Sequence, residues 1–98
     1  MHVIVWEFEA RPGKETEFEK AYGAHGDWAL LFSNSPDYCG TDLLKSITTR
    51  TYLTIDRWTS AAAFADFKQQ WQAEYQTLDQ QMESVTHSER SIGQYESA

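Results

Sequence analysis

The chain has 98 residues, 41% hydrophobic and 14% aromatic, and carries a formal net charge of -7 at pH 7. That length suits one domain around a single core, the apolar and aromatic content excludes a disordered chain, and the absence of a long apolar run excludes a helical membrane span. The negative charge repels phosphate backbones and the eight Lys and Arg residues form no basic stripe, so no nucleic acid and no membrane is expected as partner, and a small aromatic or apolar ligand fits better.

Cys39 stands alone, so no internal disulfide forms, and the stretch from Met1 to Glu7 lacks the basic start and apolar centre of a signal peptide. The expected location is cytoplasmic.

From Val3 to Ala10 the residues alternate as in a strand, with Ile4, Trp6 and Phe8 on one face and Val3, Val5, Glu7 and Glu9 on the other. Arg11-Pro12-Gly13 ends it. Lys14 to Tyr22 predicts an amphipathic helix with Phe18, Ala21 and Tyr22 on its apolar side. Gly23 and Gly26 interrupt this pattern, and Asp27 is placed to cap a short helix, Trp28 to Phe32, which Asn34-Ser35-Pro36-Asp37 closes. Tyr38 to Ser46 and Thr51 to Trp58 read as two strands joined by a hairpin connection, Ile47 to Arg50. Thr59 or Ser60 then N-caps a long helix whose stripe runs through Phe64, Phe67, Trp71, Tyr75, Leu78, Met82 and Val85. A weak strand from about Glu89 to Tyr95 completes the order.

Strand, helix, strand, strand, helix, strand is the ferredoxin-like α+β plan, a four-stranded antiparallel sheet in one domain spanning 1–98. Its helices cover one face of the sheet. Val3 and Val5 lie on the other, so the expected assembly is a homodimer with facing sheets and a pocket between each sheet and its own helices.

No Gly-rich phosphate loop, metal-ligand cluster or nucleophile-base-acid set is present. Glu83 and His87 make at most half of a metal site, and no metal is assigned. Large rings at helical spacing serve either as core or as the wall of a ligand site; Phe64, Phe67 and Trp71 carry both readings, as does Trp58, whose indole needs a polar partner. Asp56 shares the parity of Trp58, whereas Arg57 points to the opposite face, so Asp56 and Arg57 do not pair side by side. In apolar surroundings Asp56 would titrate high and accept a proton from a phenol; its other reading is a carboxylate bonded across the strands or at a dimer interface. His25, in the segment Gly23 to Gly26, and Trp28 stand where the lip of a pocket would be, His25 being either an acid-base group or an idle exposed imidazole.

Val5-Trp6-Glu7-Phe8 with Arg11-Pro12-Gly13, then Gly26-Asp27-Trp28, Gly40-Thr41-Asp42-Leu43-Leu44, and Tyr52 through Trp58 together resemble the antibiotic biosynthesis monooxygenase family of dimeric α+β barrels. The resemblance implies that fold, a homodimer and, in part of the family, oxygenation of an electron-rich phenol or quinol with no cofactor. In the quinone-forming branch a strand Trp works with an upstream Asn and a downstream Tyr; Trp58 matches the first, with Thr54 and Phe64 at the other places. The haem-degrading branch uses an Asn, a helix Trp and a helix His, where this chain has Trp6, Phe67 and no histidine, which disfavours haem degradation. The resulting expectation is a cofactor-independent monooxygenase with Trp58, Asp56 and His25 as catalytic residues. Trp6, Trp28, Thr54, Phe64, Phe67, Trp71 and Tyr75 would enclose the substrate. The alternative is a non-catalytic dimeric module that binds a small apolar ligand.

Overall fold

Two periodicities, two residues per repeat in the strands and about 3.6 in the helices, direct the apolar side chains of this chain into one layer. The computed structural model describes residues 1–98. Four strands, β1 (His2–Ala10), β2 (Tyr38–Lys45), β3 (Thr51–Trp58) and β4 (Thr86–Glu96), form an antiparallel sheet in the order β2-β3-β1-β4. Helices α1 (Glu15–Tyr22), α2 (Asp27–Phe32), α3 (Ala61–Gln70) and α4 (Gln72–Met82) connect them, giving the ferredoxin-like α+β plan. No helix is long and apolar enough to cross a membrane.

In register, His2 meets Trp58, Ile4 meets Asp56, Trp6 meets Thr54 and Phe8 meets Tyr52. These residues face the helices, and Ile4, Phe8, Tyr52, Thr54 and Trp58 are buried there. Val3, Val5, Leu53 and Ile55 take the opposite face, where ion pairs join Arg57 to Asp42 (2.8 Å) and Arg90 to Glu7 (3.1 Å). The core lies wholly on the helical side and is dominated by rings: Phe18 stacks on Tyr22 at 4.3 Å between centroids, and both touch Phe8.

Several local features differ from the sequence expectation, among them β4, expected from about Glu89 but beginning at Thr86. Gly26, not Asp27, is the N-cap of α2, and no side chain caps that helix. A Cβ on Gly26 would stand 2.3 Å from the Lys20 carbonyl oxygen and 2.4 Å from that of Ala21, so only glycine lets α2 turn back this closely on α1. The long helix is two helices, broken at Trp71 (φ -110, ψ 28). No Pro or Gly marks the break; Phe67 is held on Trp58 of β3 and Tyr75 on Trp28 of α2, so the two halves pack against different elements. Val85 lies beyond the second half, in the turn before β4, where its carbonyl accepts the Arg11 N–H. Ser60 does cap α3, its hydroxyl oxygen accepting the Ala63 N–H at 3.1 Å.

Gly26→Ala should therefore separate α1 from α2 and destabilise the protein by about 1–3 kcal/mol, measured as a lower urea midpoint; an unchanged midpoint would show that the contact carries no constraint.

Candidate functional site

Between the sheet and the helices lies a cavity of about 270 Å3. Its floor is Ile4, Trp6 and Phe8 from β1, Thr54 and Asp56 from β3, Thr41 from β2 and Glu89 from β4. Its roof is Tyr22 from α1, Trp28 and Phe32 from α2, Phe64 and Lys68 from α3, and Tyr75 and Asp79 from α4. The size is close to the lower bound for small-molecule sites.

Edge-on packing of Trp28 against Tyr75, with centroids 5.0 Å apart and planes at 64°, joins α2 to α4 in the roof. Lys68 carries the only cation of the lining; its Nζ lies 4.9 Å from the centroid of Tyr75 and 5.7 Å from that of Phe64. A second, polar cavity of about 250 Å3 shares Tyr22, Asp79 and Glu89 with the first and adds Arg11, Glu83 and His87. His87 belongs to β4, so it and Glu83 sit on different elements and not on one helix.

Asp56 is the carboxylate set deepest in the floor. Desolvation pushes its pKa up to about 6, against the lowering effects of a hydrogen bond from Thr41 and of the Arg57 charge. Thr41 Oγ1 donates to Asp56 Oδ1 at 2.6 Å, and the Tyr38 hydroxyl is bonded in turn to Thr41 Oγ1. Burial also raises the Tyr75 hydroxyl to about 12, with Asp79 adding to the effect. Glu89 is raised by burial and by the charges of Asp79 and Glu83.

Of the residues singled out from the sequence, Trp6, Trp28, Thr54, Asp56, Phe64 and Tyr75 border the cavity together. Trp58, Phe67, Trp71 and His25 do not. Trp58 has no exposure and is enclosed by Phe32, Tyr38, Phe64 and Phe67 at centroid distances of 5.1–5.5 Å. The polar partner expected for its indole is absent, since Nε1 is buried and unpaired. Lying two residues past Asp56 at the end of β3, it falls under α3 and outside the chamber. Phe67 packs on Trp58, Trp71 stacks outside Phe67 at 6.5 Å, and His25 is an exposed loop residue. Sequence reasoning missed Thr41, Tyr38, Tyr22, Lys68, Asp79 and Glu89. Thr41 had a signal, because counting outward from the hairpin connection Ile47 to Arg50 sets it opposite Asp56.

A family model for antibiotic biosynthesis monooxygenase matches residues 1–77. The chain belongs to the antibiotic biosynthesis monooxygenase family. Comparison with curated proteins gives no significant match. Among solved structures the chain is similar to SnoaB, a cofactor-independent oxygenase from Streptomyces nogalater, at 18% identity and a TM-score of 0.71, over 99% of this chain and 92% of that one. It is also similar to the haem-degrader MhuD of Mycobacterium tuberculosis, whose structure has two haems bound in its active site, at 22% identity and a TM-score of 0.65, over 99% and 95%. A third is PA3566 of Pseudomonas aeruginosa, at 13% identity and 0.69, over 99% and 93%. At these identities the likeness establishes the shared fold.

Asp56 gives the site a measurable signature. Because its folded pKa of about 6 lies above the ordinary value of 3.8, the folded protein retains a proton between those values that the unfolded chain releases, and stability falls as pH rises through that window. Asp56→Asn, which keeps an oxygen for Thr41, should be more stable than the wild type at pH 7 by up to about 3 kcal/mol. In urea denaturation at pH 7, 6 and 5 the gap should shrink toward acid; a constant gap would show that Asp56 titrates normally.

Proposed function

We propose that the chamber binds a small, flat phenol, quinol or anthrone-like compound and that the protein is a cofactor-independent monooxygenase acting on it, with Asp56 as proton acceptor. The observation that carries this reading is a desolvated carboxylate, one oxygen of which has no protein partner, set in a chamber walled by aromatic rings. A pKa near 6 leaves Asp56 ionised at neutral pH yet more basic than an ordinary carboxylate, which suits general-base work.

Ground-state oxygen reacts slowly with closed-shell molecules, so the ligand has to become an electron donor first. Asp56 takes a proton from an acidic ring position, and the conjugate anion passes one electron to oxygen. The two radicals combine to a peroxide. With the proton returned by Asp56, loss of water leaves a carbonyl: a methylene and one oxygen molecule become a carbonyl and one water, with no outside reductant. Lys68 supplies positive field where anionic charge develops, and the rings of Trp6, Trp28, Phe64 and Tyr75 exclude water. No histidine borders the chamber to hold a haem iron: His2 is buried against Gln94 and Glu96, His25 is an exposed loop residue, and His87 lines the adjoining polar cavity.

The open sheet face supports a homodimer. Leu44 and Tyr95 are about half exposed there, beside Val3, Val5, Leu53 and Ile55, and its two arginines are already paired within the chain. A second copy covers this apolar surface without having to neutralise it.

Oxygen uptake with a panel of anthrones and hydroquinones tests the activity. Asp56→Asn should lower kcat by about 100- to 10,000-fold, whereas Trp58→Phe, at a position packed behind Phe32 and Phe64 that does not line the chamber, should keep most of it. Saturable quenching of tryptophan fluorescence without oxygen uptake would instead make the protein a binding module. Light scattering should give twice the chain mass, and Val5→Lys, which sets a charge in the apolar face, should give the monomer; a wild-type monomer would remove the dimer.

A further inference from the structure

We propose that Thr41 is the positioning residue for Asp56, holding Oδ1 so that Oδ2 alone meets a ligand in the chamber, and that Tyr38 fixes the direction in which Thr41 donates. This rests on the reading of Asp56 as proton acceptor.

The argument begins with a defect in β2. Tyr38 and Thr41 are three residues apart, so in a regular strand they would point to opposite faces. The register of β2 on β3 shifts between Tyr38 and Gly40, and Gly40 has φ +117, a conformation that favours glycine. This bulge brings both side chains to the helical face. Tyr38 then lies opposite Trp58 with its ring 5.3 Å from the indole, and its hydroxyl reaches Thr41 Oγ1. Thr41 is buried and pairs in register with Asp56.

The direction of the chain follows from donor counting. An ionised carboxylate only accepts, and a threonine hydroxyl has one proton. Thr41 therefore donates to Asp56 Oδ1 at 2.6 Å and has only lone pairs left for Tyr38, which must donate to it. A proton arriving on Oδ2 leaves this chain intact. A proton arriving on Oδ1 toward Thr41 would force the Thr41 hydroxyl to turn away and lose its bond to the carboxylate, so Oδ2 is the preferred acceptor. Tyr38 also polarises the Thr41 hydroxyl and strengthens its bond to the carboxylate.

Other groups share the electrostatic surroundings of Asp56. Arg57 is its neighbour on β3 but lies on the open face, paired with Asp42. Tyr75 and Asp79 of α4, Lys68 of α3, Tyr22 of α1 and Glu89 of β4 complete the titratable lining. None of these is hydrogen-bonded to Asp56; Thr41 is the side chain that fixes its orientation.

Carbon-13 NMR of the aspartate side-chain carboxyls, with Asp56→Asn used to assign the resonance, reads the chain without requiring turnover. Thr41→Val, close in shape but without the donor, should move the Asp56 midpoint up by about one pH unit, and Thr41→Ser should return it. In oxygen uptake Thr41→Val should lower kcat about tenfold with little change in KM, and the acid limb of the pH profile should move with the NMR midpoint. An unchanged midpoint in folded Thr41→Val overturns the proposal even if turnover persists. A midpoint that moves in Thr41→Val and returns in Thr41→Ser, in a protein that consumes no oxygen, supports the chain and refutes the oxygenase reading. Should Thr41→Val fail to fold, Tyr38→Phe decides: a smaller upward shift supports the proposal and no shift overturns it.

Discussion

The antiparallel register of β1 on β3 is the constraint from which the rest of the molecule follows. It sets Ile4 against Asp56, Trp6 against Thr54 and Phe8 against Tyr52 on the face that the helices cover. Side chains alternate along a strand, so a slip by one residue would carry Asp56 and Trp58 to the open face and bring Arg57 and Ile55 under the helices. Core, cavity and carboxylate would all be lost together. The register is held because it puts the bulky residues of both strands, Ile4, Phe8, Tyr52 and Trp58, into the core on the helical face together.

On that face the rings do two different things. Around Trp58 they interlock, with Phe32, Phe64, Phe67 and Tyr38 all within 5.5 Å of its centre. A few residues away along the same strands the floor changes to Thr41, Thr54 and Asp56, which are too small to meet a roof built from Trp28 and Tyr75. Space remains where small polar residues oppose large aromatic ones. Leaving that space and desolvating a carboxylate within it both cost stability. The filled half of the core offsets these costs, an arrangement common where function opposes stability.

Much of this was legible in the order of residues. Alternation in Val3 to Ala10 assigned the two faces of β1, and the run Thr51 to Trp58 marked β3 with its observed limits, so the parity of Asp56 and Arg57 could be stated in advance. Ring spacing in the helices, however, carries no information on whether a ring meets another ring or empty space. Trp58 and Phe67 were thus indistinguishable from Phe64 and Tyr75 until the helices were set on the sheet. The break at Trp71 has no local mark because tertiary packing imposes it. The bulge at Gly40 was hidden too, since a glycine in a strand permits a positive φ without requiring one, and without the bulge Tyr38 and Thr41 fall on opposite faces.

The roof of the chamber is divided among four helices, each giving it one or two side chains, whereas the ladder of hydrogen bonds belongs to the sheet alone. Replacing Lys68, Tyr75 or Asp79 alters the lining of the space and leaves both the strand ladder and the packed surroundings of Trp58 in place. The lining of the chamber and foldability are thereby carried by largely separate sets of residues. Descendants of such a chain can reshape the chamber and its charge by successive single changes in the helices, while the sheet that holds the carboxylate is inherited intact.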